Sequence, residues 1–387
     1  MTGVAAGGDG LARDEGGMVV FVEGGLPGER VAVRVHDRRR DFSRGRVVDV
    51  VDPSPDRVEP PCPYVAAGCG GCQWQHISPD GQRRLKIEIV RDALRRLAHI
   101  PDPTVAPEAV AVADHGYRTT LRLAVDGVGR PSYRRRHAHD LVPVDACLIA
   151  HPLLADLVVS ARFPGAKEVL LRVSAATGER IARPEPRSVV AEVAEDVVIG
   201  GRIHEEVAGR SWRVSAGSFF QSGPAGAGAL AAAVVEAAGD ALANEGVIVD
   251  AYAGVGLLGG VAAGERHRIV AVESNPVAAR DAKANLAGRN ARVHSVDVGS
   301  FRPGPEPAAL VIADPARTGL GRPGVRALSM AHAPVLVLVS CDPASLARDV
   351  VLLGEAGYRL AATTVVDLFP HTVHVETVSR FEQVREA

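Results

Sequence analysis

Near the N-terminus, apolar residues come in short valine-rich runs, Val19 to Val22, Arg30 to Val35 and Gly45 to Val51, parted by GGLPGE and DRRRDF. Runs of this length between turn-forming residues predict strands of a compact all-β unit, such as a small barrel. The proline-rich DPSPDRVEPPCP breaks the pattern, and from 79 to 98 Leu85, Ile89 and Leu97 recur among Arg and Glu, which predicts a helix. Between about 110 and 215, alternating segments such as LRLAV, EVLLRVS and RSWRVS predict an antiparallel sheet. From about 225 the period changes. A long alanine-rich helix leads into VIVDAYAGVGLLGG, RIVAVESN, a helix from Pro276 to about Gly288, the strands ALVIADP and VLVLVSCDP, and a closing TTVVDLFPHTVHVETVSRF. Strands alternating with helices predict an open, mostly parallel α/β sheet whose ligands sit at the carboxyl ends of its strands. The expected organisation is therefore a β unit over 1–56, a central α+β region over 57–220 and an α/β domain over 221–387.

A chain of 387 residues suits two or three such domains, and 47% apolar with 23% charged residues is the balance of a globular protein. No apolar run reaches the roughly 18 to 20 residues of a membrane span, and MTGVAAGGDG lacks the pattern of a secretory signal, so a cytoplasmic protein without a membrane partner is expected. The formal charge of -2 speaks against nucleic acid, but the charge is unevenly spread. Arg34 to Arg46 carries six arginines against two aspartates, and Arg118 to Arg136 six against one. Either run can present a positive face to RNA, or serve only as solvated surface.

The five cysteines divide into two groups. Cys62, Cys69 and Cys72 lie in CPYVAAGCGGCQWQH, where Gly70 and Gly71 permit a tight turn that lets three thiolates converge. Converging thiolates need a cation, and Cys147 is the natural fourth ligand. A Cys-x6-Cys step beside one Cys-x2-Cys pair suits an iron–sulfur cluster or structural zinc; unligated or redox thiols are the third reading.

Cys341 stands apart, directly after the strand VLVLVS and just before a helix opening, where a thiolate is stabilised. Asp314 in VIADPARTGL takes the matching end of the preceding strand, and Glu376 lies in PHTVHVETV, so three reactive side chains can share one mouth. A small buried apolar cysteine is the bland alternative. Asp250 ends the first α/β strand before Gly254 and Gly256, Glu273 ends the second, and Asp297 follows VHSV at the third. A glycine turn and a ribose-binding carboxylate are common to dinucleotide and S-adenosylmethionine sites, whereas Asp297, placed to accept an adenine amino hydrogen, favours S-adenosyl-L-methionine over a nicotinamide cofactor.

The whole chain resembles the RNA uridine-5-methyltransferase family. GGDGLARDEGGMVVFVEGGLPGERV is similar to the small RNA-binding TRAM-type barrel of many members, GCGGCQWQH with Cys147 to their four-cysteine iron–sulfur site, and FFQSG, DAYAGVG, DPAR, SCDPASLARD and FPHTVHVET match the family signatures in order. The resemblance implies a Rossmann-like methyltransferase domain with S-adenosyl-L-methionine held by Gln221, Tyr252, Gly254, Glu273, Asp297 and Asp314. It implies a uracil site of Phe219, Asp314 and Arg317, Cys341 as nucleophile, Glu376 as base, and a 4Fe–4S cluster on Cys62, Cys69, Cys72 and Cys147, with structural zinc as the alternative. The partner it implies is RNA, 23S rRNA ahead of tRNA, met by a monomer. Three positions depart from the family: Gly223 replaces an Asn, Ala316 a proline and Asp342 an Asn. A non-catalytic RNA-binding or assembly factor is the reading from a different class, and an NAD-dependent enzyme would leave Cys341 and the cysteine loop unexplained.

Overall fold

The computed structural model describes residues 1–136, 138–243 and 245–384. The N-terminal sheet runs in the order Gly3–Val4, Gly10–Arg13, Val19–Glu23, Phe42–Asp52, Arg30–Arg38. The first two strands escape a hydrophobic pattern because GV and GLAR carry little β signal; Gly10 is there because a Cβ would lie 2.5 Å from the Gly25 carbonyl oxygen. The long hairpin of Arg30–Arg38 with Phe42–Asp52 sets Arg34 opposite Arg46, and all six arginines of the first basic run are exposed.

A central six-stranded sheet follows, ordered Val197–Ile199, Arg180–Glu185, Glu168–Val173, Thr120–Val125, Pro131–Arg134, Leu141–Val142. It is antiparallel but for its first pair. The helix Pro152–Ser160 covers it, with Leu154 and Leu157 against Leu121, Val169 and Leu171.

The C-terminal sheet has eight strands in the order Ala291–His294, His267–Val272, Gly246–Ala251, Ala308–Ala313, Val335–Ser340, Glu376–Gln383, Tyr358–Asp367, Val110–Ala111. Only Glu376–Gln383 runs against the rest. Helices cover both faces, so the central strands, VIVDA and VLVLVS among them, are apolar on both sides and buried.

Three features depart from the sequence pattern. The helix Pro79–Leu97 and the strand Val110–Ala111, placed by sequence in the 57–220 region, pack instead on the C-terminal sheet and its helix Pro343–Glu355. The buried side of Pro79–Leu97 also differs from the Leu85, Ile89 and Leu97 stripe: Leu97 is 51% exposed, while Gln82 and Lys86 are fully buried. Lys86 is kept there by Asp367, 2.6 Å away, and the Phe369 carbonyl at 3.0 Å, partners far away in the chain that no local period reveals. Finally, Pro224–Leu242 is long and apolar enough by length and composition to cross a membrane, against the expectation that no segment would be. In the fold its Leu230, Ala231, Val234 and Ala238 are buried against the sheet.

Candidate active site

Five of the predicted residues reach one edge of the C-terminal sheet because parallel strands end together. Asp250 closes the first strand, Glu273 and Asp297 follow the second and third, and Asp314 and Cys341 directly follow Ala308–Ala313 and Val335–Ser340. Glu376 arrives from the other direction. It begins the reversed strand, whose Thr377 pairs with Ser340, so Glu376 and Cys341 each lie one residue beyond the last pair of that ladder.

The glycine turn lies in front of this edge. Tyr252, Gly254 and Gly256 all have positive φ, at 59°, 55° and 85°, which curls the chain back toward the second strand. Glu273 holds the curl: one oxygen accepts from the Gly254 N–H at 2.8 Å, the other from the Asn275 N–H at 2.6 Å. A Cβ on Gly254 would meet nothing within 4 Å, so the space before the loop is open. Asp297 is exposed, with one oxygen accepting from the Gly299 N–H. Asp250 instead lies under the loop, 1% exposed, accepting from the Gly259 N–H at 3.0 Å, and burial pushes its carboxyl up to about 7. A carboxyl raised above its unfolded value stabilises the fold below about pH 4, and that contribution is lost as pH rises to about 7. Asp250→Asn, which keeps an acceptor for Gly259, is therefore expected to be relatively more stable than wild type at about pH 8 than at about pH 5. Urea midpoints that shift equally at both pH values would contradict this.

At the thiol, the charges oppose ionisation. Cys341 is half-buried, and burial followed by the nearby Glu376 and Asp314 carboxyls pushes its thiol up to about 11, with Arg317 pulling the other way. The expected stabilisation of a thiolate by the helix Pro343–Glu355 does not prevail over burial and these two carboxyls; Asp342 caps that helix through the Ser345 N–H at 2.7 Å. Burial lifts Asp314 to about 7. Glu376, 4% exposed, is raised well above its ordinary range by burial and by Asp314. Asp314 is thus one of the groups that hold the Glu376 proton on, while Arg317 works against it. Arg317 is exposed and lies 3.3 Å from His374 Nδ1. FFQSG is split by the fold: Phe219 is 67% exposed, while Phe220 and Gln221 are buried.

Residues 2–48 match the TRAM domain. Over 98% of its length the chain is 38% identical to an uncharacterized RNA methyltransferase of Streptomyces coelicolor, covering 91% of that protein. An uncharacterized RNA methyltransferase of Streptomyces avermitilis is 35% identical over 98% of this chain and 96% of its own. The chain belongs to this RNA methyltransferase family. The methyltransferase also shares its fold with the crystal structure of the Pyrococcus abyssi tRNA (uracil-54, C5)-methyltransferase in complex with S-adenosyl-L-homocysteine, with a TM-score of 0.74 over 98% of this chain and 99% of that one, at 22% identity.

In this RNA methyltransferase the departure at Gly223 has a steric cause. Gly223 precedes the helix Pro224–Ala238, and a Cβ there would stand 2.0 Å from the Tyr117 carbonyl oxygen, held close because the Thr119 N–H donates to the Ser222 carbonyl at 2.6 Å. Gly223→Asn is expected to destabilise the methyltransferase by ~1–3 kcal/mol, read as a lower urea midpoint. A midpoint equal to wild type would show that the segment at Tyr117 gives way at no cost.

The four remaining cysteines of the methyltransferase do come together. Cys62, Cys69, Cys72 and Cys147 are half-buried, free of disulfides, and line one cavity with Tyr64, Gln75 and Tyr133. Gly70 is required by the close pass of Arg134, whose carbonyl oxygen would be 2.8 Å from a Cβ. The Tyr133 hydroxyl is 3.0 Å from Cys147 Sγ. Burial above all, with Cys147 and Cys69 adding to it, pushes the Cys72 thiol up to about 12. Sequence reasoning missed the support behind the Glu376 loop: Gln82, whose side-chain oxygen accepts from the His371 N–H at 2.6 Å, and the Lys86–Asp367 pair. A polar residue on the buried side of a helix was the available signal.

Proposed function

We propose that this protein transfers a methyl group from S-adenosyl-L-methionine to carbon 5 of a uridine in structured RNA, through covalent addition of Cys341 to carbon 6. The observation that supports the reading is that Cys341 and Glu376 each lie one residue beyond the Ser340–Thr377 pair, near enough for the Glu376 and Asp314 carboxyls to act on the thiol. Gln221, Tyr252, Gly254, Glu273, Asp297 and Asp314 would hold the donor, which supplies an electrophilic methyl carbon. Each Glu273 oxygen spends one acceptor site on a backbone N–H, which leaves others for ribose hydroxyls. Asp297 keeps a free oxygen for the adenine amino group.

Carbon 5 of uracil is a weak nucleophile until a thiolate adds to carbon 6. The Cys341 proton passes to ionised Asp314, the carbon–sulfur bond forms, and the carbon 5–carbon 6 electron pair becomes an enolate. Asp314, now protonated, donates to the developing charge on oxygen 4. Carbon 5 takes the methyl group, Glu376 in its ionised form removes the carbon-5 hydrogen, and elimination breaks the carbon–sulfur bond; the released thiolate takes its proton back from Asp314, and Glu376 gives its proton to solvent. Phe219 offers an exposed ring on which a base drawn out of its stack can rest, and Arg317 lies at the mouth beside it in this scheme.

For the four cysteines we favour a 4Fe–4S cluster over zinc. The Cys-x6-Cys step beside one Cys-x2-Cys pair supports this, since structural zinc more often uses two Cys-x2-Cys pairs. The four-cysteine site with the TRAM domain leads us to place 23S rRNA ahead of tRNA. Mapping 5-methyluridine in ribosomal and transfer RNA from cells with and without the protein tests the reading. Loss of one uridine methylation identifies the substrate, and loss at no position in either RNA overturns the assigned product.

A further inference from the structure

Behind the Glu376 loop the fold gathers a second set of metal-capable side chains. Asp114, His115 and His371 each place one ligand atom within 4.8 Å of the other two. The imidazoles of His115 and His371 meet edge to face with centroids 5.7 Å apart, and Asp114 Oδ1 lies 2.5 Å from His115 Nδ1. The two segments come from opposite ends of the chain. Asp114 and His115 precede the central sheet, whereas His371 belongs to the loop between the last two strands of the C-terminal sheet.

His371 is the informative member. It is 4% exposed, and its Nε2 is buried with no hydrogen-bond partner. A buried imidazole nitrogen left unpartnered is costly and calls for an occupant. The loop backbone, by contrast, is fully engaged: the His371 N–H donates to Gln82 Oε1 at 2.6 Å and its carbonyl accepts from the Trp74 N–H at 2.9 Å. Gln82 also approaches His371 Nδ1, at 3.3 Å, but its amide has two hydrogens, and the carbonyls of Ile77 at 2.8 Å and Trp74 at 3.2 Å account for both. The Nδ1 contact therefore does not fix the tautomer, and Nε2 is free to be a ligand.

We propose that Asp114, His115 and His371 form a site for a divalent transition-metal ion of the zinc class. Two imidazoles and one carboxylate are borderline ligands that suit such an ion, and the exposure of His115 leaves outward positions for water. The ion takes the place of the proton now lying between Asp114 and His115. It ties the entrance of the central sheet to the loop five residues before Glu376, and so acts as a clasp between the two regions. The site is separate from the cysteine cavity and differs from it in chemistry, with nitrogen and oxygen donors in place of thiolates.

Cobalt(II) titrated into the intact protein is the probe. One equivalent is expected to give visible d–d bands without the intense near-ultraviolet charge-transfer band of a cobalt–thiolate bond, and zinc chloride should displace it. His115→Ala and Asp114→Asn, at partly or fully exposed side chains, should abolish those bands while the far-ultraviolet circular dichroism stays that of wild type. Zinc should raise the melting temperature of wild type and not of His115→Ala. The proposal is overturned if the bands persist in His115→Ala, if the only cobalt bound shows thiolate charge transfer, or if zinc shifts both melting temperatures equally. These readouts do not depend on methyl transfer, so their failure leaves the assigned reaction untouched.

Discussion

Replacing Cys341 with alanine is expected to lower methyl transfer by ~10⁴-fold or more, the scale on which loss of a covalent nucleophile is felt. The side chain sits at a strand end, half-buried, so the smaller residue fits without moving the strand Val335–Ser340 or the cap on the helix that follows. Binding of S-adenosyl-L-methionine, followed by calorimetry, should remain near the wild-type level, because the donor residues Glu273 and Asp297 lie on other strands. The measurement is single-turnover transfer of labelled methyl to an RNA substrate identified by the mapping experiment. Transfer by Cys341→Ala at anything near the wild-type rate would remove the covalent mechanism. The raised thiol sharpens this expectation. A group pushed to about 11 is protonated at neutral pH, so it reacts only when its proton has somewhere to go, and the nearby acceptors are the carboxyls that also raise it.

Glu376→Gln should separate the first half of the reaction from the second. Addition at carbon 6 does not need Glu376 as the final base, and removing its carboxyl also removes one of the influences that raise Cys341. Turnover is expected to fall by ~10²–10⁴-fold, the usual contribution of a positioned base. The protein should then accumulate as a covalent adduct with RNA, seen as a slower band on denaturing electrophoresis that ribonuclease treatment shifts back. The double variant with Cys341→Ala should form no adduct. Turnover within several-fold of wild type, with no adduct, would sink the assignment of Glu376 as base.

Much of this architecture could be read from periodicity and punctuation. Alternating strands and helices after residue 225, with Asp250, Glu273, Asp314 and Cys341 at successive strand ends, were enough to expect an open sheet and a shared edge, because parallel strands must end on the same side. Glu376 was harder to place, since nothing local says that its strand is reversed; the antiparallel pairing of Glu376–Gln383 with Val335–Ser340 brings it back to the cysteine. The buried side of the helix Pro79–Leu97 could be read only in part: Ile89 is buried as its period suggests, but Lys86 is buried because of an aspartate 281 positions away. The six arginines between 34 and 46 were ambiguous in sequence and are exposed together only because the hairpin sets Arg34 across from Arg46.

The sequence alone determined the alternation of strands and helices after residue 225, the chemical identity of the groups at the edge of the C-terminal sheet, and the division of the cysteines into four and one. These depend on local period and residue type, which are properties of neighbours along the chain. Tertiary structure alone decided how readily Cys341 ionises. Cys341 looked like a helix-stabilised thiolate from its neighbours, but burial beside Asp314 and Glu376 makes it a thiol, because electrostatic energy depends on distance through space and on access to water. The same reason explains why the gathering of Asp114, His115 and His371 is invisible in the sequence.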